Sequence, residues 1–314
     1  MAKYTFLLPA FKPDFFEEAL RSIKSQTLKD FKVLVSDDCS PHDLKSIYNK
    51  VCGDDERFCY RRNEVNMGSK SLVSHWNLLL DMCDTEYFIL ASDDDVYEPT
   101  FLEEVDKLAQ KYPEVDLLRA RVRRIDDKGE ILAEDALYKE HGDSIDYIYQ
   151  KHFNNGITCM ACFVFKTEAL KSEGGFEYLP VAWHSDDASS LKVCKNGIAN
   201  SSQTLFNFRT SSVNISGRKI TSKDALEKAK ATLLYDSFFH KFINEIKSEK
   251  SPLKPIQQSK LNFAQKDHDD FCYTMSRTYA TLCNIKDFWE LNKYVPPKMR
   301  LKFVLYYFKM KLFY

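Results

Sequence analysis

The chain has 314 residues, of which 44% are hydrophobic, 29% charged and 14% aromatic, a composition that supports a sizeable core and excludes a disordered segment or a disulfide-stapled miniprotein. Its 45 Lys and Arg offset 46 Asp and Glu to a net charge of -1, so no global positive field recruits nucleic acid. No apolar run approaches the ~20 residues that span a bilayer, and the apolar stretch at the N-terminus is too short for a secretory signal, so a cytoplasmic protein is expected. The nine scattered cysteines then read as reduced thiols rather than a disulfide framework.

In chain order, Tyr4–Leu8 is predicted as a first strand closed by Pro9. After Pro13-Asp14, the residues Phe16, Ala19, Leu20 and Ile23 recur at helical spacing, with Glu17 and Glu18 in the first turn where they complement the helix dipole. Phe31–Val35 reads as a second strand, Phe58–Arg61 as a third, Leu72–Cys83 as a helix and Tyr87–Ala91 as a fourth strand running straight into acids. This β-α-β-α-β order predicts a parallel sheet covered by helices. Beyond Pro113, Val115–Ile125 and Ile131 suggest strands joined through the turn Asp126-Asp-Lys-Gly129. Ile157–Phe165 reads as a buried strand carrying Cys159 and Cys162, and a lone Cys-x-x-Cys without a second pair makes a poor zinc site. Trp76, at helical spacing with Leu72, Leu79 and Leu80, is expected in the core, and the alternating Arg119, Arg121 and Arg123 on one face of a half-buried strand. From Thr221 the chain turns helical and charged, with a break at Lys247–Pro255.

Ligands of open α/β sheets gather beyond the carboxyl ends of the strands. The loops after strands one, two and four are Pro9-Ala-Phe-Lys12, Ser36-Asp-Asp-Cys-Ser40 and Ser92-Asp-Asp-Asp95, so two carboxylate clusters are expected to face one crevice. Burying three like charges is costly unless a cation is shared. Hard divalent cations take oxygen ligands and bridge carboxylates to phosphates, so Asp93–Asp95 suits a metal-bound diphosphate better than a solvated turn. Only nine glycines occur, in neither a GxGxxG nor a Walker A pattern, which argues against a dinucleotide enzyme or a P-loop NTPase.

The segments Phe6-Leu-Leu-Pro-Ala-Phe11, Leu20–Thr27 with Asp30–Ser40, Asn66-Met-Gly68 and Asp93–Pro99 resemble, in order, four motifs of the GT-A-fold glycosyltransferases of family 2. The likeness continues more thinly through Gly174-Gly-Phe-Glu177, His184-Ser-Asp186-Asp187, Phe208-Arg209 and Asn214-Ile-Ser216. The resemblance implies an α/β GT-A domain over residues 1–220, with a nucleotide-binding half at 1–112 and an acceptor half at 113–220, and a mostly helical extension at 221–314. It also implies inverting transfer of a sugar from a UDP- or GDP-linked donor to a hydroxyl of a glycan or lipid-linked acceptor, with Mn²⁺ or Mg²⁺, in surface-polysaccharide assembly. Carried over residue by residue, Pro9, Phe11, Asp37 and Asp38 line the nucleotide pocket, and Asn66, Lys70, Asp94 and Arg209 also meet the nucleotide sugar. Asp95, with Asp93, holds the metal, and Asp186 or Asp187 deprotonates the acceptor hydroxyl. Lys12, Ser92, Ser185 and Thr210 stand where the family more often has Asn, an acid, Glu and His. A sugar nucleotidyltransferase and a non-catalytic nucleotide-sugar or glycan-binding protein are the alternative readings.

From Leu291 to Tyr314 the chain carries Lys293, Lys298, Arg300, Lys302, Lys309 and Lys311 without an acid, interleaved with aromatics. That mixture suits peripheral contact with the inner face of an anionic membrane, or else a packing helix. Lys298, Lys302 and Lys309 share one helical face while Arg300 and Lys311 fall nearly opposite.

Overall fold

The computed structural model describes residues 2–154, 156–211, 219–248 and 252–313. Strands β1 (Tyr4–Ala10), β2 (Phe31–Asp37), β3 (Phe58–Arg62) and β4 (Tyr87–Leu90) lie parallel, β1 being flanked by β2 and β4. The central strands β1 and β4 are almost wholly buried, as expected of a parallel sheet covered on both faces. Their crossovers run through α1 (Phe16–Lys24), α2 (Leu44–Cys52) and α3 (Gly68–Asp81). In α1 the predicted Phe16, Ala19, Leu20 and Ile23 are the inward stripe. Helix α2, not expected from the sequence, is capped by Asp43, which accepts the Ser46 amide at 3.0 Å, and faces Leu44, Tyr48, Val51 and Cys52 inward at helical spacing.

After β5 (Val96–Tyr97) and α4 (Phe101–Lys111), the sheet continues through β6 (Leu117–Ile125), β7 (Ile131–Glu134) and β8 (His141–Gly142). Helix α5 (Ser144–Phe153), strand β9 (Phe163–Lys166), helices α6 (Thr167–Ser172) and α7 (Ser185–Val193) and strand β10 (Ile198–Arg209) complete it. The strand order is β3-β2-β1-β4-β9-β6-β10-β5, with β7 on β6 and β8 on β10, and β9 runs antiparallel to both β4 and β6. The β6–β7 hairpin turns where predicted: Asp126 Oδ1 accepts the amides of Lys128 and Glu130, and Gly129 takes a φ of 83° that suits glycine.

Two expectations are corrected here. The Ile157–Phe165 run is not one strand: Met160–Cys162 forms a 3-10 turn, and pairing starts only at Phe163. The backbone upstream is held from elsewhere, with Ile157 donating to Asp135 and accepting from Arg119, while the Cys162 thiol donates to the Cys159 carbonyl at 3.0 Å. Local bonds of this kind compete with a ladder. Arg119 also does not share the half-exposed face of Arg121 and Arg123; it is 2% exposed, paired with Asp135, with its guanidinium 4.3 Å from the Tyr138 ring centroid.

The helical extension comprises α8 (Ser222–Ser248), α9 (Pro255–Leu282), α10 (Ile285–Asn292) and α11 (Pro297–Phe313). Tyr235, Phe239 and Ile243 of α8 and Leu261 of α9 join the core under the sheet. A second, smaller core gathers Phe288, Leu291, Val295, Phe303 and Tyr307, with the Phe288 and Tyr307 rings stacked 3.7 Å apart. No described helix is long and apolar enough to cross a membrane.

Candidate active site

The register of the parallel strands brings the acidic loops together. Ala10 pairs with Asp37, the Asp38 amide donates to the Ala10 carbonyl at 2.9 Å, and the Ala91 amide donates to Leu7 at 2.8 Å, so β1, β2 and β4 end side by side. Ser40 Oγ donates to the Phe11 carbonyl at 2.6 Å and ties the first two loops to each other. Between them Cys39 holds a left-handed backbone, φ 54°, which a non-glycine residue adopts only under constraint.

Asp37 and Asp38 are both buried, and their carboxylates build the loop. Asp37 accepts from the Ser40 amide at 2.8 Å, from the Tyr60 hydroxyl at 2.5 Å and from Arg62. Asp38 accepts the amides of Met67 at 2.9 Å and Gly68 at 2.7 Å and the Asn63 side chain at 2.8 Å. The Asn-x-Gly turn follows from this: a Cβ on Gly68 would stand 3.0 Å from Asp38 Oδ2, and Asn66 Oδ1 accepts the Ser69 amide at 2.7 Å in the first turn of α3. Lys70, in that same turn, is exposed, Pro9 is half-buried in β1, and Phe11 is 37% exposed.

Asp93, Asp94 and Asp95 are each no more than 6% exposed. Asp93 Oδ2 accepts the amides of Phe11 and Lys12, both at 2.8 Å. Asp94 accepts from Ser92 and from the Lys12 ammonium, which also stands 3.4 Å from Asp93. Asp95 Oδ1 accepts the Arg209 amide at 2.8 Å. Burial, then the charge of Asp94, pushes the Asp95 carboxyl well above the usual range, and burial raises Asp93 against the pull of Lys12. Lys12 is therefore a built-in cation of this loop, which sequence reasoning registered only as a departure from Asn. Arg209 is tied into the same loop. Its guanidinium is 1% exposed and braces the loop from behind, donating to the Asp94 and Asp126 carbonyls at 3.0 Å and to Glu18 at 2.6 Å, over the Phe15 ring.

Across the crevice, Gly174 and Gly175 take φ of 82° and 81°, and a Cβ on Gly175 would meet Asn77 Oδ1 at 2.4 Å. That turn seats Phe176 against Trp76, which is a core residue as expected. His184, left-handed at φ 66°, then starts α7 and presents Asp186 and Asp187 in its first turn. The two acids differ sharply. Asp187 is paired with Lys151 of α5 and lies 3.0 Å from His184 Nδ1; despite burial, these partners hold it far below the usual carboxylate range. Asp186 accepts only the Asp187 amide among the described contacts, at 2.9 Å, and burial followed by the charge of Asp187 pushes it up to about 7. The Cys159 thiol, raised mainly by burial and by Cys162, also feels the charges of both Asp95 and Asp186. Lys151 went unnoticed in the sequence because α5 did. Replacing it by Met is expected to cost about 3 kcal/mol, the penalty of an unpaired buried carboxylate, read as a fall in unfolding free energy by denaturant titration. Asn214-Ile-Ser216 lies outside the described residues.

Residues 6–174 match the family model for glycosyl transferase family 2. An uncharacterized glycosyltransferase of Methanocaldococcus jannaschii is 27% identical over 158 residues, 50% of this chain and 52% of that protein. The GalNAc(5)-diNAcBac-PP-undecaprenol beta-1,3-glucosyltransferase of Campylobacter jejuni is 32% identical over 96 residues, 30% of each. The matches therefore span about half or less of these relatives' lengths. Among solved structures, S. aureus TarS 1–349 in complex with UDP-GlcNAc aligns over 98% of this chain and 90% of its own at TM-score 0.66 and 16% identity. A Pyrobaculum calidifontis mannosyltransferase in complex with GDP-Man and Mn²⁺ aligns over 99% and 86% at TM-score 0.56 and 14% identity. These likenesses carry the GT-A-like fold. The family match, covering a little over half of the chain, carries the rest: the protein belongs to glycosyl transferase family 2.

Proposed function

We propose that the protein moves a sugar, with inversion, from a UDP- or GDP-linked donor to a hydroxyl of a glycan or lipid-linked acceptor, with Mn²⁺ or Mg²⁺ held at Asp95. The observation that carries this reading is the buried Asp93–Asp95 loop, three carboxylates only partly neutralised by Lys12 at the end of a parallel strand, with Asp186 raised towards neutrality at the start of α7. The donor class is supported by the fold neighbours bound to UDP-GlcNAc and to GDP-Man with Mn²⁺. The lipid-linked acceptor is supported by the C. jejuni relative.

The residues present fit a hard divalent cation, because a buried all-oxygen loop retains excess negative charge and Asp95 has one oxygen beyond its bond to Arg209. Asp93, facing the Phe11 and Lys12 amides, shapes the loop and leaves Asp95 the more available ligand. Bound there, the cation would neutralise charge developing on the leaving diphosphate. Lys12 adds a fixed positive charge at the same place, and Phe11 and the Asp37–Asp38 loop form the nucleotide wall. Residues 1–112 thus serve the donor and 113–220 the acceptor. Asp186, ionised, takes the acceptor's proton as its oxygen attacks the anomeric carbon opposite the diphosphate. Incubating the protein with UDP- and GDP-sugars and an acceptor pool, with Mn²⁺ or EDTA, tests this: nucleoside diphosphate release with one donor and Mn²⁺ only, and NMR of the product showing an inverted anomer, are expected.

Helix α11 extends the proposal to a membrane. Phe303 and Tyr307 face inward, while Leu301, Leu305, Phe308 and Leu312 are 72%, 62%, 40% and 79% exposed. At about 3.6 residues per turn these four fall within an arc of roughly 60°, flanked by Lys302 and Lys309 on one side and Arg300 and Lys311 on the other. The basic residues, divided between two faces, border an apolar stripe, which suits burial in an anionic interface. Co-sedimentation with phosphatidylglycerol vesicles is expected, weakening by at least about tenfold in Leu301→Ser/Leu305→Ser, and much less with neutral phosphatidylcholine vesicles.

A further inference from the structure

Helices α8 and α9 hold a second group of ligand-type side chains, remote in sequence from the acidic loops. Asp236 and His240 sit one turn apart on α8, and His268 and Cys272 one turn apart on α9, so each helix presents its pair on one face. His268 is 0% exposed and Cys272 is 2% exposed, with Asp236 half-buried at the rim. His268 Nε2 stands 3.3 Å from Cys272 Sγ and 3.4 Å from Asp236 Oδ1, and the three ligand atoms all lie within 4.8 Å of one another. With zinc bonds of about 2.0 Å to nitrogen or oxygen and 2.3 Å to sulfur, neighbouring corners of a tetrahedron stand about 3.3–3.6 Å apart, which both distances from His268 match. On the open side, His240 Nε2 lies 3.6 Å from the same Asp236 oxygen and 2.9 Å from Asp269.

The His268 ring is fixed rather than free to seek another partner. It stacks on Phe239 with centroids 3.7 Å apart and 12° between planes, and its buried Nδ1 has no hydrogen-bond partner. A wholly buried imidazole thus directs its other nitrogen at a sulfur and a carboxylate oxygen, a mixed N, S and O set that suits zinc and not the hard cations proposed for Asp95.

We propose that Asp236, His268 and Cys272 form a zinc site that clamps α8 to α9, with its fourth corner left to water at the Asp236 rim. On binding, Cys272 releases its thiol proton to solvent and ligates as thiolate. The site lies behind the catalytic crevice: Tyr235 is 5.1 Å from the His268 ring and stacks at 4.9 Å on His184, which meets Asp187. The clamp would therefore steady the helix pair on which the α7 start rests.

The test strips the full chain with EDTA and titrates it with Zn²⁺ and, for spectroscopy, Co²⁺, without nucleotide. One Zn²⁺ per chain, a rise in Tm, and a thiolate-to-cobalt charge-transfer band are expected. Cys272→Ser should abolish the band, and Asp236→Asn should weaken Zn²⁺ binding by more than the 10–100-fold typical of outer-shell partners. Both replacements nearly conserve volume, and circular dichroism checks that each variant folds. Cys59→Ser, at an exposed cysteine, and Asp95→Asn should leave Zn²⁺ binding unchanged. No Zn²⁺ uptake by the wild type, a band that survives Cys272→Ser, or uptake lost in Asp95→Asn would each overturn the assignment.

Discussion

Asp186→Asn is expected to lower kcat by roughly 10²–10⁴-fold, the usual contribution of a positioned general base, while leaving donor affinity within about twofold. The asymmetry of the acid pair is the reason. Asp187 is neutralised by Lys151 and His184 and held far below the usual carboxylate range, so it is a poor proton acceptor. Asp186, raised to about 7 by burial and by Asp187, is basic enough to take a proton and is ionised in useful measure at neutral pH. Activity should accordingly rise with pH through about 7 on an acid limb that belongs to the coupled pair. The stability effect has the opposite sign. A carboxyl raised in the folded state holds its proton more tightly than the unfolded chain does, so stability falls as pH climbs from about 4 towards about 7, and the loss is complete above that. Asp186→Asn removes the penalty and should raise Tm at pH 8 even as kcat falls. Asp187→Asn should instead lower Tm, because Lys151 loses its partner.

Asp95→Asn should reduce kcat/KM by roughly 10³-fold, since several kcal/mol of charge stabilisation at the leaving diphosphate depends on the cation. The fold should survive, because the Asn carbonyl still accepts the Arg209 amide and one buried like charge is removed beside Asp94. Titration of initial rates with Mn²⁺ reads the effect directly: the wild type saturates and the variant does not respond.

The first hundred residues were legible because parallel strands, buried on both faces, read as continuous apolar runs, and their ends carried acids in a fixed order. The short helices α2 and α5 were not legible. In α2 the stripe Leu44, Tyr48, Val51 and Cys52 is short and diluted by polar neighbours, α5 buries adjacent residues rather than a stripe, and both helices start on a capping acid, Asp43 or Asp143. With α5 unseen, Lys151 had no place beside Asp187, and only the structure separates the two acids. The bracing role of Arg209 was hidden for a related reason: its bonds to the Asp94 and Asp126 carbonyls and to Glu18 join segments far apart in the chain. The Lys12 ammonium lies more than eighty residues in sequence from the acids it neutralises, a pairing that only the β1–β4 register creates.

The central claim is that the loop beyond β4 binds a nucleoside diphosphate through a divalent cation at Asp95. The most direct measurement is the melting temperature with UDP or GDP, each in Mn²⁺ and in EDTA, for the wild type and Asp95→Asn. One nucleotide should raise Tm in the wild type with Mn²⁺ alone, by the amount that binding to the native state requires, and leave the variant unmoved. An equal shift in EDTA, an equal shift in Asp95→Asn, or no shift with either nucleotide and Mn²⁺ would contradict it.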